Sequence, residues 1–208
     1  MNSSPIALNS LPLGRIVLLA LDEILGHKEV NTVLNRSNLY DRPGKDPVFI
    51  PGLKFSFENA GRLQAVLEST FGHRAGRGIS VRVGRACFKY SLREYGPELG
   101  LTSLAFRLLP LSSRLKVGSQ ALAGWFNQVT DQLVRFELDE KHFQWQIDGC
   151  QLCSEKHADG PCCALAVGFL QEGMYWMSGG KYFLVEDKKY IALGGSNCTI
   201  VINPTPIN

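Results

Sequence analysis

Cys163-Ala-Leu-Ala-Val-Gly-Phe-Leu-Gln-Glu-Gly-Met-Tyr-Trp-Met177 is an apolar run of mixed small and large side chains that stops at Gly179-Gly180. Its apolar, small-residue character predicts a buried helix, and the paired glycines end it. A strand begins at Tyr182, and the Gly194-Gly195-Ser196-Asn197 turn returns the chain into Cys198-Thr-Ile-Val-Ile202 as a β-hairpin. Upstream of the helix the apolar period is two. Val134, Phe136 and Leu138 alternate with Arg135 and Glu137. Asp139-Glu-Lys141 turns the chain, and Phe143, Trp145 and Ile147 then alternate with His142, Gln144 and Gln146. This is a second hairpin with one apolar face, so the C-terminal half reads ββαββ.

The N-terminal half reads as helix. Leu13 to about Leu39 is helical with a break near Gly26, and residues 1–10 are a loose lead-in. Asp41-Arg-Pro-Gly-Lys-Asp-Pro47 and Pro51-Gly52 predict an exposed excursion over residues 40 to 56. Three helices follow at a 3.6-residue apolar period. The first runs from Asn59 as N-cap to Gly72 and the second from Gly78 to about Tyr95. The third runs from Leu115 to Leu133, with Gly118, Leu122, Trp125, Phe126 and Val129 on one side and Ser119, Gln120, Asn127, Gln128 and Asp131 on the other. The expected fold is α+β: N-terminal helices, then the ββαββ half, with an antiparallel sheet of about four strands and helices packed on one face. One domain is expected over residues 11–203.

The 208 residues, 45% hydrophobic, suffice for a sizeable core. A net charge of +3, with 22 basic residues interspersed among 19 acidic ones and no basic block, excludes nucleic acid as the expected partner. Ile16 to Leu25 is interrupted by Asp22 and Glu23 and falls far short of the roughly 20 residues a membrane span needs. With no secretory leader and an adjacent Cys162-Cys163 pair, the six cysteines are expected as reduced thiols or a metal site in a cytoplasmic protein.

Catalytic patterns are absent from the sequence. No dinucleotide fingerprint, phosphate loop or nucleophile elbow occurs, and His27, His73, His142 and His157 are scattered, with no His-x-x-x-His pair. The aromatic positions carry more information. Trp125, Phe126, Phe143, Trp145, Phe169 and Trp176 fall on inward faces, and Gly173 leaves space beside these rings. They serve either as ordinary core or as the flat apolar walls of a ligand pocket. Arg82, Arg85, Lys89 and Arg93, spaced 3, 4 and 4 apart, stack four cations on one helical stripe. That stripe is either a solvated face or a docking surface for an acidic partner or a carboxylate-bearing ligand.

The Cys163 helix, the hairpin after it, the Cys-x-Ile-x-Ile ending at Cys198, the cysteine-rich loop before Pro161 and the helix from Gly78 to Gly96 with Cys87 together resemble the 4-vinyl reductase domain family. That family is related to subunits of the vesicle-tethering transport particle, and the likeness spans about residues 57 to 202, strongest over 160–202. The resemblance implies a hydrophobic small-molecule site, with a tetrapyrrole as candidate ligand, in the service of photosystem biogenesis, possible docking to a membrane pigment–protein complex, and a homo- or hetero-dimer with a related domain. It also implies a peripheral location at a photosynthetic membrane for such members. A structural zinc implied by the same resemblance would fall to Cys163 (or Cys162), Asp187 (or Glu186) and Cys198, with Cys150 or Cys153 replacing the ligand lost at Tyr190. Tyr190 stands where a thiolate is wanted and argues against zinc. The buried-hydrophobe reading of Cys162, Cys163 and Cys198 is the alternative.

The expected function is therefore a non-catalytic binding and assembly module. The alternatives are a reductase of a vinyl group on a chlorophyll precursor and a dimerising adaptor without ligand.

Overall fold

In a computed structural model, the structure describes residues 11–39, 55–139, 141–153, 162–189 and 197–207. Two helices, α1 (Leu11–Leu25) and α2 (His27–Arg36), are separated at Gly26, whose φ of 81° ends the first at the expected break. Next come α3 (Phe57–Phe71) and α4 (His73–Tyr95), then a short α5 (Leu104–Leu108) and α6 (Leu111–Val129). The hairpin β1 (Leu133–Leu138) and β2 (Phe143–Asp148) leads through a 3-10 turn at Gln151–Cys153 to α7 (Ala164–Ser178). The chain closes with β3 (Tyr182–Lys189) and β4 (Asn197–Ile207).

Several boundaries differ from those read in the sequence, each for a local reason. Ser56, not Asn59, caps α3: its hydroxyl accepts from the Asn59 N–H at 3.2 Å. The second long helix starts at His73 rather than Gly78, because Gly76 packs within α4 directly on the Leu67 and Glu68 backbone of α3. The third starts at Leu111 after Pro110 and ends at Val129, where Thr130 turns extended and donates its N–H and hydroxyl to the Phe126 carbonyl, and Asn127 in the last helical turn clamps β1. Its side chain accepts from Val134 N–H at 2.6 Å and donates to the Val134 carbonyl at 2.9 Å. One short helix was not expected: α5 is a single turn capped by Ser103. Of the expected exposed excursion, residues 40–54 lie outside the described residues, while Phe55 is buried against Gly14.

The sheet order is β1-β2-β4-β3, antiparallel throughout, so the last strand lies inside the sheet between β2 and β3. Trp145 pairs with Phe136 on one side and Ile200 on the other. Phe143, Trp145, Ile147, Cys198, Ile200 and Ile202 form the buried face under the helices, while Arg135, Glu137, Leu184 and Lys188 face outward. Leu138, expected on the apolar face, is 54% exposed at the end of β1. The α+β class with helices on one face is thus observed. No helix among the described residues is long and apolar enough to cross a membrane.

The tightest helix contact is between α4 and α7. A Cβ on Gly84 would lie 2.9 Å from the Phe169 nitrogen and closer still to the Leu165 carbonyl, and one on Gly168 would lie 2.8 Å from the Val81 carbonyl carbon. Two glycines thus let the helix backbones touch, which sets Phe169 and Leu170 over the sheet. Phe169 meets Phe126 edge-on at 5.0 Å, and Phe126 meets Trp145 edge-on at 5.8 Å. Because backbone, unlike a flexible side chain, cannot yield cheaply, Gly84→Val is expected to lower stability by about 3 kcal/mol, at the upper end of overpacking costs. A urea denaturation series on the variant and the parent measures this.

Candidate functional site: a thiol centre beside an apolar cavity

The 3-10 turn after β2 carries Cys150 and Cys153 inward, Cys163 sits at the start of α7, and Cys198 faces inward from β4. These three segments meet at one point. The sulfurs of Cys150, Cys153, Cys163 and Cys198 all lie within 4.8 Å of one another, and all four residues are buried. Cys153 Sγ is 3.4 Å from both Cys163 Sγ and Cys198 Sγ, and Cys150 Sγ is 3.8 Å from Cys163 Sγ. Cys153 is also disulfide-bonded to Cys162, with Cα atoms 5.5 Å apart. This corrects the expectation that the cysteines carry no disulfide. Cys162 and Cys163 are consecutive yet diverge, the first to the disulfide and the second into the cluster.

Burial and mutual contact keep the Cys150 and Cys163 thiols neutral. The Cys163 thiol lies well above its ordinary range because its contacts with Cys150 and Cys198 and its burial all disfavour a thiolate. For Cys150 the contact with Cys163 pulls downward, but contact with Cys198 and burial outweigh it and hold the thiol at about 12. A bound cation would reverse this balance, since it makes thiolate the favoured form.

Asp187, expected as a ligand, does not join the four sulfurs. Its carboxylate accepts the Cys163 backbone N–H at 3.2 Å and pairs with Arg77 at 3.0 Å. It therefore satisfies an orphan donor at the start of α7. Glu186 points elsewhere and pairs with Lys188. Tyr190 and His157 lie outside the described residues.

One residue that the sequence reading passed over ties the centre to the helices. Gln64, fully buried on α3, donates to the carbonyls of Cys162 at 3.1 Å and Leu152 at 3.4 Å, and accepts from the Leu165 N–H at 2.8 Å. Its spacing from Ala60 and Leu67 puts it on the apolar stripe of α3, which was the available signal. Gly61, one residue along from Ala60, packs on the Gln151 carbonyl and Leu152 backbone.

Beside this clamp lies an apolar cavity of about 50 Å³. Leu152 and Leu165, both held by Gln64, form part of its wall, with Ala60, Gly84, Cys87, Ala166 and Leu170. Of the aromatic residues expected at a pocket, Phe126, Trp145 and Phe169 line it. The others stand apart from it. Trp125 stacks behind Phe169 at 6.5 Å, Phe143 packs on Phe136 at 5.4 Å, and Trp176 lies against Phe106 and Phe88. The space expected at Gly173 is taken by Phe88, whose ring would meet a Cβ there at 3.2 Å. Local spacing placed all these residues inward but could not say which neighbouring helix fills each gap.

The cationic stripe runs along α4 beside α7. Arg85 donates twice to the Gln171 side chain, Lys89 is 3.8 Å from Glu172, and Arg93 sits over the Tyr90 ring, while Arg82 is exposed. Part of the stripe therefore braces the two helices.

No protein-family model matches the chain, and no curated protein matches it by sequence. Solved structures do match by shape. An H-NOX protein from S. oneidensis in the Fe(II)NO ligation state is 10% identical, with 93% of this chain and 99% of that chain covered and a TM-score of 0.60. An unliganded Fe(II) H-NOX mutant from K. algicida is 10% identical over 95% and 96% of the two chains, with a TM-score of 0.57. An H-NOX protein from work on heme distortion is 14% identical over 96% and 97%, also at 0.57. The fold is that of the H-NOX proteins. This overturns the resemblance to the 4-vinyl reductase domain family, and vinyl reduction, photosystem assembly and a photosynthetic membrane lose their support with it. A buried small-residue helix followed by a hairpin is a fold-level pattern, so it does not select one family among those that can share it.

Cys87, in the cavity wall of this H-NOX fold, has its thiol pushed up to about 12 by burial, from an ordinary value of 9.0. Below pH 9 the thiol is protonated whether the chain is folded or not, and its contribution to stability is complete. Between 9 and about 12 only the unfolded chain ionises, so stability falls as pH rises. Urea midpoints taken from pH 8 to 10.5 should decline, and Cys87→Ala should make that decline shallower by up to about 1.4 kcal/mol per pH unit.

Proposed function

We propose that the chain is a non-catalytic binding module that takes a small apolar molecule into the cavity between α1, α3, α4, α7 and the sheet. The observation that carries this reading is the character of the wall. Its residues are apolar, and its one titratable group is the Cys87 thiol, held neutral by burial. Acid–base or nucleophilic catalysis has nothing to work with there.

The heme named for one H-NOX neighbour supports a small-molecule site in this fold, but the residues here do not fit a tetrapyrrole. The cavity's volume of about 50 Å³ is far below the roughly 300–1,000 Å³ of pockets that hold cofactor-sized ligands. Of the described histidines, His27 and His73 are exposed and His142 is half-buried on β2's approach, so none reaches the wall. No cation lines it to receive a carboxylate. A monatomic or diatomic apolar guest matches the volume better, because dry apolar cavities bind such guests without hydrogen bonds.

Xenon is the direct probe. Titration followed by methyl NMR is expected to shift Leu152, Leu165 and Leu170, and Ala166→Leu should abolish those shifts while changing stability by less than about 1.5 kcal/mol. Hemin added to the same protein should produce no stoichiometric Soret band. A tight hemin complex would mean that the cavity opens, and would move the reading to a tetrapyrrole.

The four clustered cysteine sulfurs, three of them free thiols and the fourth in the Cys153–Cys162 disulfide, favour a second role for the reduced form of the same module, a structural metal centre. A tetrahedral ion with zinc–sulfur bonds of about 2.3 Å holds its sulfurs roughly 3.8 Å apart, and the observed cluster brackets that spacing at 3.4 to 4.8 Å. Two of the ligands would come from Cys150-x-x-Cys153, a usual spacing for structural zinc. Reduced protein should bind about one zinc per chain, and a chelator should then lower stability by roughly 3 kcal/mol or more, since metal held only by the folded state adds its binding free energy to folding. Elemental analysis and thermal melts with and without chelator measure both.

A further inference from the structure

We infer that α5 and the first turn of α6 form a docking surface for an anionic lipid headgroup layer. The two most exposed large apolar side chains among the described residues, Leu104 at 72% and Leu108 at 75%, stand one helical turn apart on α5. Their outward direction is enforced from inside. Phe106 lies two residues from each and so about 200° round the helix. It is buried and stacks on Trp176 of α7 at 6.2 Å. Its ring also closes on Gly118 of α6, where a Cβ would meet it at 3.1 Å. With Phe106 anchored in this way, neither leucine can turn inward.

The polar surroundings carry one sign. Arg107 is exposed beside Leu108, and Arg114 donates to the Arg107 carbonyl at 3.1 Å, which ties the first turn of α6 to α5. Lys116 follows, also exposed. From Leu99 to Thr130 the sequence has these three cations and no acid, with Glu98 and Asp131 on either side of the stretch. Charge and shape together choose the occupant. A second copy would set Arg107 and Arg114 against their own equivalents, and like charges brought together at an interface repel. A partner helix lays its apolar face into a groove, whereas these leucines project from the surface. A lipid headgroup layer accepts projecting side chains without matching their shape. It buries leucine at the acyl boundary while its phosphate and carboxylate groups meet the cations. The Arg107 stem lies along the leucines and keeps its guanidinium at headgroup level. None of these residues lines the apolar cavity, so the inference stands apart from the function proposed above.

The test uses the full chain with vesicles of phosphatidylserine and phosphatidylcholine in about a 3:7 ratio, and pure phosphatidylcholine vesicles beside them. Cosedimentation is expected with the first and not with the second, and should weaken about five-fold or more between roughly 0.05 and 0.5 M salt. These two dependences are read on the wild type and do not rely on any variant folding. Leu104→Ser combined with Leu108→Ser should weaken binding about ten-fold or more. Arg107→Glu should weaken it about twenty-fold, roughly five-fold for each unit of charge. Arg82→Glu makes the same change of net charge at an exposed position of α4 and should alter binding by less than about three-fold. All the substituted side chains are exposed, so urea midpoints should match the parent. Absence of binding to the mixed vesicles overturns the inference. So does a loss on Arg82→Glu equal to that on Arg107→Glu, which would mean charge attraction without a site. A dimer in lipid-free solution that the leucine pair dissolves overturns it in favour of a second copy.

Discussion

The contact on which the rest of the fold depends is the crossing of α4 and α7 at Gly84 and Gly168, where main chain meets main chain without an intervening Cβ. Helix axes normally stand apart by the thickness of their side chains. Removing two Cβ atoms at the crossing draws the helices together and lowers α7 onto the sheet. Phe169 then reaches Phe126, and Phe126 reaches Trp145. The aromatic column joining both helical layers to β2 follows from this approach. So does the cavity, whose wall includes Gly84 itself together with Leu165, Ala166, Phe169 and Leu170 from the facing turns of α7.

A second constraint is polar. The turn at Gln151–Cys153 and the start of α7 bring backbone groups into the interior, where an unpaired donor or acceptor costs about 1–3 kcal/mol. Gln64 satisfies three of them at once, and Asp187 satisfies the Cys163 N–H while its own charge is met by Arg77. The same clamp links the two candidate sites. Leu152 is a cavity wall residue immediately before Cys153, and Leu165 is a wall residue two positions after Cys163. Cys153 and Cys163 therefore stand next to the cavity wall, joined to it by covalent neighbours and one buried side chain.

Similarity of shape to H-NOX proteins at 10–14% identity shows how much of such a fold is fixed by layer packing alone. Interior side chains are free to change provided that the helices still bury an apolar face on the sheet. In this chain the interior between α4, α7 and β2 is filled by rings to within about 50 Å³. The local walls therefore decide what this interior can take.

The sequence by itself determined the α+β class, the two hairpins, the helix break at Gly26 and the burial of Cys87, Phe126, Trp145 and Phe169. Period, caps and glycine stops are local signals, legible within a dozen residues. The metal set of Cys163 (or Cys162), Asp187 (or Glu186) and Cys198 with Cys150 or Cys153 came from the family resemblance and not from local pattern, and the cluster that forms includes both Cys150 and Cys153 and leaves Asp187 out. Only the tertiary structure decided the partners. Cys153 is ten residues from Cys163 but forty-five from Cys198, and nothing in a linear pattern says which sulfurs converge. The space beside Gly173 goes to Phe88, and the free space lies beside Gly84 and Ala166, because the register of one helix on another is set by close contacts far apart in sequence. The family was likewise beyond the local pattern, since a helix and hairpin that bury well are a solution open to many sequences.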